Sequence, residues 1–157
     1  MRSRIEKIVS GGQTGADRAA LDFAIENGID YGGFVPRGRL AEDGEIPSRY
    51  SQLTEAVTSD PSERTRLNVL SSDCTILLTH GPASTGSKQT EEFAHFLGKP
   101  LLHIDLARET VDQAAEKAAE WLDLMECQVL NIAGPRASDD ENIYAAAKEF
   151  LNVLFAK

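Results

Sequence analysis

A glycine-rich segment near the amino terminus, Ser10–Arg18 (SGGQTGADR), has the composition of an anion-binding turn. It follows the apolar run Ile5–Val9 and precedes the helical pattern Ala19–Asn27. Glycines let a backbone turn tightly and approach a ligand closely, and the first N–H groups of a helix attract negative charge. The segment is neither a Walker A loop nor a full G-x-G-x-x-G fingerprint. Its spacing favours a phosphate ligand, with a tight turn capped by Thr14 as the alternative.

Two further loops rich in glycine, serine and threonine follow apolar runs that predict strands. His80–Ser87 follows Cys74–Thr79, and Gly134–Asp140 follows Val129–Ala133. In a parallel sheet the carboxyl ends of the strands share one edge, where ligands bind. We therefore expect the three loops to converge on one cleft.

Candidate ligand-binding residues lie on these loops and on the long polar segment Pro36–Tyr50, which we expect to close over the cleft as a lid. Backbone N–H groups, hydroxyls and arginine side chains are the groups that bind phosphate. The candidates are Gly11, Gly12, Thr14, Gly15, Arg18, Arg37, Gly86, Ser87, Thr90, Gly134, Arg136 and Ser138, with Arg39 as a further lid residue. A solvated surface position is the alternative for each charged residue, and for Arg18 so is a salt bridge to a nearby carboxylate.

Other chemistry has weaker support in the sequence. No His/Cys/Asp cluster has metal-ligand spacing, and three dispersed histidines do not indicate a Ser-His-Asp triad. Asp17 and Glu92 are candidate general bases if the protein is an enzyme. Cys74 and Cys127 sit in apolar, strand-like runs and are predicted to be buried free thiols.

Composition indicates one soluble globular domain over residues 1–157, with 41% hydrophobic and 26% charged residues. The net charge of −9 argues against nucleic acid or an anionic membrane as a partner. This net charge is compatible with binding of a small anion by local dipoles and arginine side chains. No signal-peptide pattern and no run of membrane-spanning length is present, so we expect a cytoplasmic location.

Strand and helix patterns alternate along the chain. The predicted strands are Ile5–Val9, Tyr31–Val35, Leu53–Val57, Cys74–Thr79, Pro100–Ile104 and Val129–Ala133, and the predicted helices are Thr14–Asn27, Pro61–Ser71, Gln89–Leu97, Thr110–Met125 and Glu141–Phe155. This order predicts an α/β fold, a single Rossmann-like three-layer domain with a mainly parallel sheet.

Several segments, in order and over nearly the whole chain, resemble the putative molybdenum carrier proteins of the SLOG superfamily. They are Ser10–Asp22, Gly33–Arg39 with Glu42-Asp43-Gly44, Arg64–Val69, Gly86-Ser87 with Thr90, and Leu130–Ser138. The superfamily also contains the Lonely Guy phosphoribohydrolases and the DNA-processing protein A family. The resemblance implies a Rossmann-like fold, a nucleotide-like phosphate ligand at the loop edge, and a homo-oligomer, a dimer or a tetramer. The carrier name implies molybdenum cofactor as cargo, a pterin with a terminal phosphate whose own dithiolene holds the metal.

The leading hypothesis is therefore a non-catalytic binding protein for molybdenum cofactor or a nucleotide-like phosphate ester. The alternatives are a phosphoribohydrolase-like enzyme and a ligand-sensing module. The phosphoribohydrolases carry Pro-Gly-Gly-x-Gly-Thr-x-x-Glu with a catalytic glutamate. When Thr90 is matched to the threonine of that motif, the glutamate position falls on Phe93, and Glu92 is one residue short.

Overall fold

The structure, a computed structural model, describes residues 5–157. Strands and helices alternate along this part of the chain, as the sequence predicts, except that five short strands follow one another between residues 30 and 55. In order they are β1 (Lys7–Val9), α1 (Ala16–Glu26), β2 (Asp30–Gly32), β3 (Phe34–Val35), β4 (Leu40–Ala41), β5 (Gly44–Glu45), β6 (Thr54–Glu55), α2 (Pro61–Leu70), β7 (Cys74–Thr79), α3 (Thr85–Leu97), β8 (Leu101–Asp105), α4 (Val111–Met125), β9 (Val129–Ala133) and α5 (Ile143–Phe155).

The central sheet has the strand order β2-β1-β9-β7-β8, and each neighbouring pair is parallel. β9, the last strand in sequence, lies between β1 and β7, with Val9 opposite Asn131 and Leu77 opposite Ala133. The loops that follow β1, β9 and β7 therefore leave adjacent positions of one sheet edge. This arrangement confirms the α/β, Rossmann-like prediction.

Helices cover both faces of the sheet. Along β7, alternate residues Cys74, Ile76 and Leu78 belong to a core shared with α1, α4 and α5. α2 and α3 pack against each other and contribute no residue to that core, so they cover the opposite face. All six residues of β7 are buried, as expected for a central parallel strand.

Helix starts that carry a strong capping signal match the sequence. Asp60 accepts the N–H of Ser62 at 2.9 Å, and Pro61 is the first residue of α2. Thr110 and Gln113 form a reciprocal capping box at the start of α4. Backbone N–H groups without an intrahelical acceptor are thus satisfied locally at both sites.

The second predicted strand, Tyr31–Val35, is wrong as a single strand. It divides at Gly33 into β2, which pairs with β1, and β3, which pairs with β6. Gly33 has φ of 132°, and a Cβ there would lie 2.1 Å from the carbonyl oxygen of Ser10. Only glycine permits this close crossing of two backbones.

Two other segments are more ordered than the sequence indicates. The predicted loop Pro36–Tyr50 contains an antiparallel hairpin of β4 and β5, with Leu40 opposite Glu45. α3 begins at Thr85, four residues before the predicted start at Gln89. Its first residues, Thr, Gly and Ser, have weak helix propensity, and packing of α3 on α2 overrides it.

The prediction of free thiols is wrong, because Cys74 and Cys127 form a disulfide with a Cα–Cα distance of 6.1 Å. Cys74 begins β7, and Cys127 lies between α4 and β9. Asp73 holds the same turn, since its carboxylate accepts the N–H groups of Gln128 and Val129 at 3.0 and 2.8 Å. The two cysteines are 53 residues apart in sequence, and only the adjacency of β7 and β9 brings them together.

No helix within residues 5–157 is long and apolar enough to cross a membrane. The cytoplasmic location stays a prediction. The disulfide argues against it, because disulfides are rare in reducing compartments.

We expect the disulfide to contribute measurably to the free energy of unfolding. A cross-link between residues 53 apart restricts the unfolded chain, so we expect the double variant Cys74→Ala/Cys127→Ala to lose roughly 2–4 kcal/mol of unfolding free energy. Urea unfolding of the two proteins measures this difference. Mass spectrometry after alkylation of denatured, unreduced wild-type protein is the control, and labelling of both thiols there would contradict the disulfide.

Candidate functional site

A cavity of about 620 Å³ opens at the carboxyl edge of the sheet. Its walls come from the loop after β1 (residues 10–15, loop 1), from α2, from the start of α3, and from the loop after β9 (residues 134–142, loop 3). Of the predicted site residues, the cavity is lined by Gly11, Asp17, Gly86, Ser87, Thr90, Gly134 and Arg136. The others lie outside it: Gly12, Thr14, Gly15, Arg18, Arg37, Ser138 and Glu92.

Three N–H groups of loop 1 already donate to nearby side chains. The Gly12 N–H donates to Ser10 Oγ at 3.3 Å, and the Gln13 N–H to Asp17 Oδ2 at 3.3 Å. The Thr14 N–H donates to Gln13 Oε1 at 3.0 Å. These side chains therefore occupy three of the donors that an anion bound at loop 1 would use.

The glycines of loops 1 and 3 let these loops pack against each other. Gly15, the N-cap of α1, has φ of 81°, and a Cβ there would lie 2.4 Å from the carbonyl oxygen of Pro135. A Cβ on Gly134 would lie 2.6 Å from both the Ala16 Cβ and the Leu78 carbonyl oxygen. These two positions serve close packing between backbones.

The tip of the β4–β5 hairpin, Glu42 and Asp43, docks on these two loops. The Glu42 carboxylate accepts hydrogen bonds from the Thr14 hydroxyl, from the Ser138 N–H at 3.1 Å and from the Ser138 hydroxyl at 2.5 Å. Arg136 Nε lies 3.7 Å from the same carboxylate. The hydrogen bonds from Ser138 and Thr14 hold the pKa of Glu42 below its usual value.

Asp43 binds Arg18 in the bidentate geometry that arginine and carboxylate favour. Arg18 Nη1 and Nη2 each lie 2.9 Å from a carboxylate oxygen of Asp43, and Arg18 Nε donates to the Gly12 carbonyl at 2.9 Å. The hydrogen bonds from Arg18 lower the pKa of Asp43. Arg18 thus forms the salt bridge that the sequence left open as the alternative.

The base of the hairpin is anchored around the buried carboxylate of Asp22. Tyr50 and Tyr144 donate their hydroxyls to it at 2.6 and 2.5 Å, and Arg49 lies 3.2 Å away. Burial raises the pKa of Tyr50 to about 12, so its hydroxyl keeps its proton at neutral pH. The hairpin is held at both ends.

The two arginines of the predicted lid do not reach the cavity. Arg37 is exposed, and its backbone N–H donates to the Thr58 carbonyl at 2.9 Å. Arg39 stabilises the hairpin segment itself, donating to the carbonyls of Ile46, Pro47 and Tyr50.

The amino terminus of α3 differs from that of α1, because it lines the cavity without a carboxylate. α1, α2 and α4 each carry an acidic residue in the first turn, and α3 carries none. Its N-cap, Ser84, makes no capping hydrogen bond with its side chain, and a Cβ on Gly86 would meet nothing within 4 Å. Ser87 is nearly buried beside it. The free N–H groups of this turn and its hydroxyls form an open anion site.

Arg64 on α2 is a cavity residue to which the sequence assigns no role. It is 9% exposed, and its Nη1 donates to the Gly11 carbonyl at 2.7 Å. In sequence it belongs to an ordinary charged helix, and the only signal for it is its place in the Arg64–Val69 segment of the family resemblance. This hydrogen bond joins α2 to loop 1 across 53 positions of the sequence.

Asp17 and Arg64 both lie close to Gly11. A Cβ on Gly11 would lie 3.0 Å from Asp17 Oδ2 and 3.1 Å from Arg64 Nη1. Burial raises the pKa of Asp17 to about 6, although Arg64, the Gln13 N–H and Arg18 all lower it. The cavity therefore contains a carboxyl group that titrates close to neutral pH.

Asn131 on β9 forms a polar part of the cavity wall. It is buried, and its Nδ2 donates to Thr75 Oγ1 at 3.2 Å. Sequence analysis missed this residue because it lies within an apolar strand. Its neighbours Leu130 and Ile132 face the opposite side, in the main core.

The remaining candidates stand apart from the cavity. Glu92 is exposed on α3. His80 pairs with Asp140 at 2.6 Å, and His103 contacts Thr79 Oγ1 at 2.7 Å. Among residues 5–157, no group of three or more His, Cys, Asp or Glu side chains could hold a metal ion.

Comparison with known proteins places this geometry in a family context. The model of the circularly permutated YpsA SLOG family matches residues 8–155. A crystal structure of a putative molybdenum carrier protein from Syntrophus aciditrophicus SB is 55% identical and superposes with a TM-score of 0.95, over 96% of this chain and 95% of that chain. No curated protein matches this chain.

The raised pKa of Asp17 predicts a pH dependence of stability. The folded protein keeps the Asp17 proton to about pH 6, whereas the unfolded chain loses it near pH 3.8. The contribution of this proton to the free energy of unfolding is therefore complete below pH 3.8 and is lost as the pH rises through 6. We expect the unfolding free energy of wild type to fall relative to that of Asp17→Asn over this range. Urea unfolding at several pH values measures it, with the exposed Asp30→Asn as the control. Parallel pH curves for wild type and Asp17→Asn would contradict the assignment.

Proposed function

Because this chain belongs to the circularly permutated YpsA SLOG family, we propose that it binds a phosphorylated pterin or a nucleotide-like phosphate ester without turning it over. Molybdenum cofactor is the leading candidate cargo. The observation that carries the proposal is the open amino terminus of α3 at the wall of a 620 Å³ cavity.

We place the phosphate at the first turn of α3 rather than at loop 1. Around Gly86, the free N–H groups, the Ser84 and Ser87 hydroxyls and the helix dipole all favour an oxyanion. Loop 1 is the less favourable site, because three of its N–H groups already bond to the side chains of Ser10, Gln13 and Asp17. The expected role of Gly12, Thr14 and Gly15 as phosphate ligands thus shifts to the start of α3.

The remainder of the ligand would occupy the cavity toward loop 1 and α2. A volume of about 620 Å³ is typical of sites for small molecules. Asn131 and Asp17 offer hydrogen-bonding groups to a polar heterocycle, and Arg64 and Arg136 supply positive charge. The name of the Syntrophus protein supports a molybdenum-related cargo. In molybdenum cofactor the pterin dithiolene holds the metal, so the cavity needs to recognise only the organic part.

A charge introduced at Gly86 tests this proposal. The position has an ordinary φ and open space for a side chain, so Gly86→Asp should fold and even favour the helix start. We expect native mass spectrometry of protein purified without oxygen to show a bound phosphorylated species on wild type and on the uncharged control Gly86→Asn. The Asp variant should lose at least nine-tenths of it, because the carboxylate repels the phosphate.

An undiminished ligand on Gly86→Asp would contradict the phosphate position. A bound species that contains no phosphorus would contradict the ligand class. Thermal unfolding of the three proteins confirms that each is folded.

A second candidate function, hydrolysis of the N-glycosidic bond of a nucleoside monophosphate, is favoured by one observation. Of the two candidate bases, Asp17 lines the cavity and has a pKa of about 6, whereas Glu92 lies outside. A carboxylate in this position could take a proton from the attacking water while the nucleobase leaves.

Release of free nucleobase distinguishes an enzyme from a carrier. If the protein is an enzyme, wild type should liberate base from nucleoside monophosphates, and Asp17→Asn should reduce the rate by at least a hundredfold, within the usual contribution of a general base. If it is a carrier, chromatography should detect no base release from either protein.

A further inference from the structure

We propose that the Glu42 carboxylate occupies a second oxyanion site of this protein, which a tetrahedral oxyanion takes when the tip of the hairpin withdraws. This site lies between loops 1 and 3. It is distinct from the first turn of α3 and does not depend on the proposed function.

The site is built as an oxyanion site rather than as a simple surface ion pair. One carboxylate receives the Thr14 hydroxyl, the Ser138 hydroxyl at 2.5 Å and the Ser138 backbone N–H at 3.1 Å. Arg136 Nε lies 3.7 Å away. Two hydroxyls and a backbone N–H thus donate to one carboxylate, and the guanidinium, whose Nε donates to Asp139, adds positive charge nearby; proteins use such groups for phosphate and similar anions.

The donors are held in place by contacts that do not involve Glu42. The Ala137 N–H donates to Thr14 Oγ1 at 3.1 Å, which joins loop 1 to loop 3. Gly15 lies against the backbone of Pro135, which fixes the distance between the loops. Removal of the carboxylate would therefore leave a preformed set of donors.

The hairpin tip is suited to act as a competitor for this site. It is a two-residue turn between the short strands β4 and β5, and the Glu42 side chain retains 20% of its exposure. Its other charged contact is the bidentate ion pair of Asp43 with Arg18, in which the Asp43 side chain is 48% exposed, so withdrawal of the tip requires this pair to separate. A ligand anion has to bind these donors strongly enough to offset the loss of the Asp43–Arg18 pair and of the hydrogen bond from the Glu42 N–H to Gln13 Oε1.

The charges around the site decide which anions compete. Asp139 also contacts Arg136 Nε, at 3.2 Å, and Asp43 lies one residue from Glu42. These carboxylates repel free anions as long as Glu42 is present. Withdrawal of the tip removes Glu42 and frees Arg18, so the site becomes more positive as it opens.

The test measures binding of inorganic phosphate and, separately, of molybdate by equilibrium dialysis. Both are tetrahedral oxyanions, and the two titrations distinguish which of them the site accepts. All proteins carry Gly86→Asp, so that binding at α3 does not contribute. In this background, Glu42→Ala should raise the affinity for at least one oxyanion by tenfold or more, because the competing carboxylate is gone.

The matched control is Glu45→Ala, which removes one negative charge from the same hairpin at an exposed position. Addition of Arg136→Ala to the Glu42→Ala protein should abolish the gain. Thermal unfolding checks that each variant is folded, and Glu42→Gln replaces Glu42→Ala if the latter is not.

Equal affinity with and without the Glu42 substitution would overturn the proposal, as would a gain of the same size in Glu45→Ala. A gain that survives Arg136→Ala would overturn the location of the site. Undiminished ligand on the single variant Gly86→Asp, measured separately, would contradict the proposed function alone, because every protein compared in this experiment carries that substitution.

Discussion

The insertion of β9 between β1 and β7 is the constraint on which the rest of the structure depends. It places the loop after β9 directly beside the loop after β1, with Gly15 against the Pro135 carbonyl and Gly134 against Ala16. Side chains larger than hydrogen do not fit at these contacts. The glycines that look in sequence like ligand-binding residues are therefore needed first for the packing of one loop on another.

Once loops 1 and 3 are packed, the distribution of negative charge decides where an external anion can bind. Asp17 satisfies loop 1, Glu42 satisfies Thr14 and Ser138, and Asp43 satisfies Arg18. Carboxylates of the chain thus occupy these donors of loops 1 and 3 and of Arg18. The start of α3 lacks such a carboxylate in its first turn and lines the cavity. The carboxylate at the amino terminus of α1 makes that turn structural, and its absence at the amino terminus of α3 makes that turn the candidate binding site.

The same cavity combines a titratable acid with positive charge. Asp17 and Arg64 both lie close to Gly11, and burial raises the pKa of Asp17 to about 6. Such a group can donate to or accept from a polar heterocycle, and it can also serve as a base. The cavity is therefore compatible with a carrier and with a hydrolase, and the difference between them is chemical turnover rather than fold.

The sequence by itself determined the α/β class, the parallel edge with three converging loops, and most helices and long strands. These follow from local patterns, such as the alternation of apolar runs with amphipathic helices and the Asp60-Pro61 start of α2. The segments that resemble a known family also contain Arg64 and Glu42, but the sequence could not state what these residues contact. Only the tertiary structure decided the position of β9, the Cys74–Cys127 disulfide, the docking of Glu42 on loops 1 and 3, and the burial of Arg64 and Asn131. Each of these joins residues far apart in the chain, and local propensity carries no information about which distant groups satisfy a given donor.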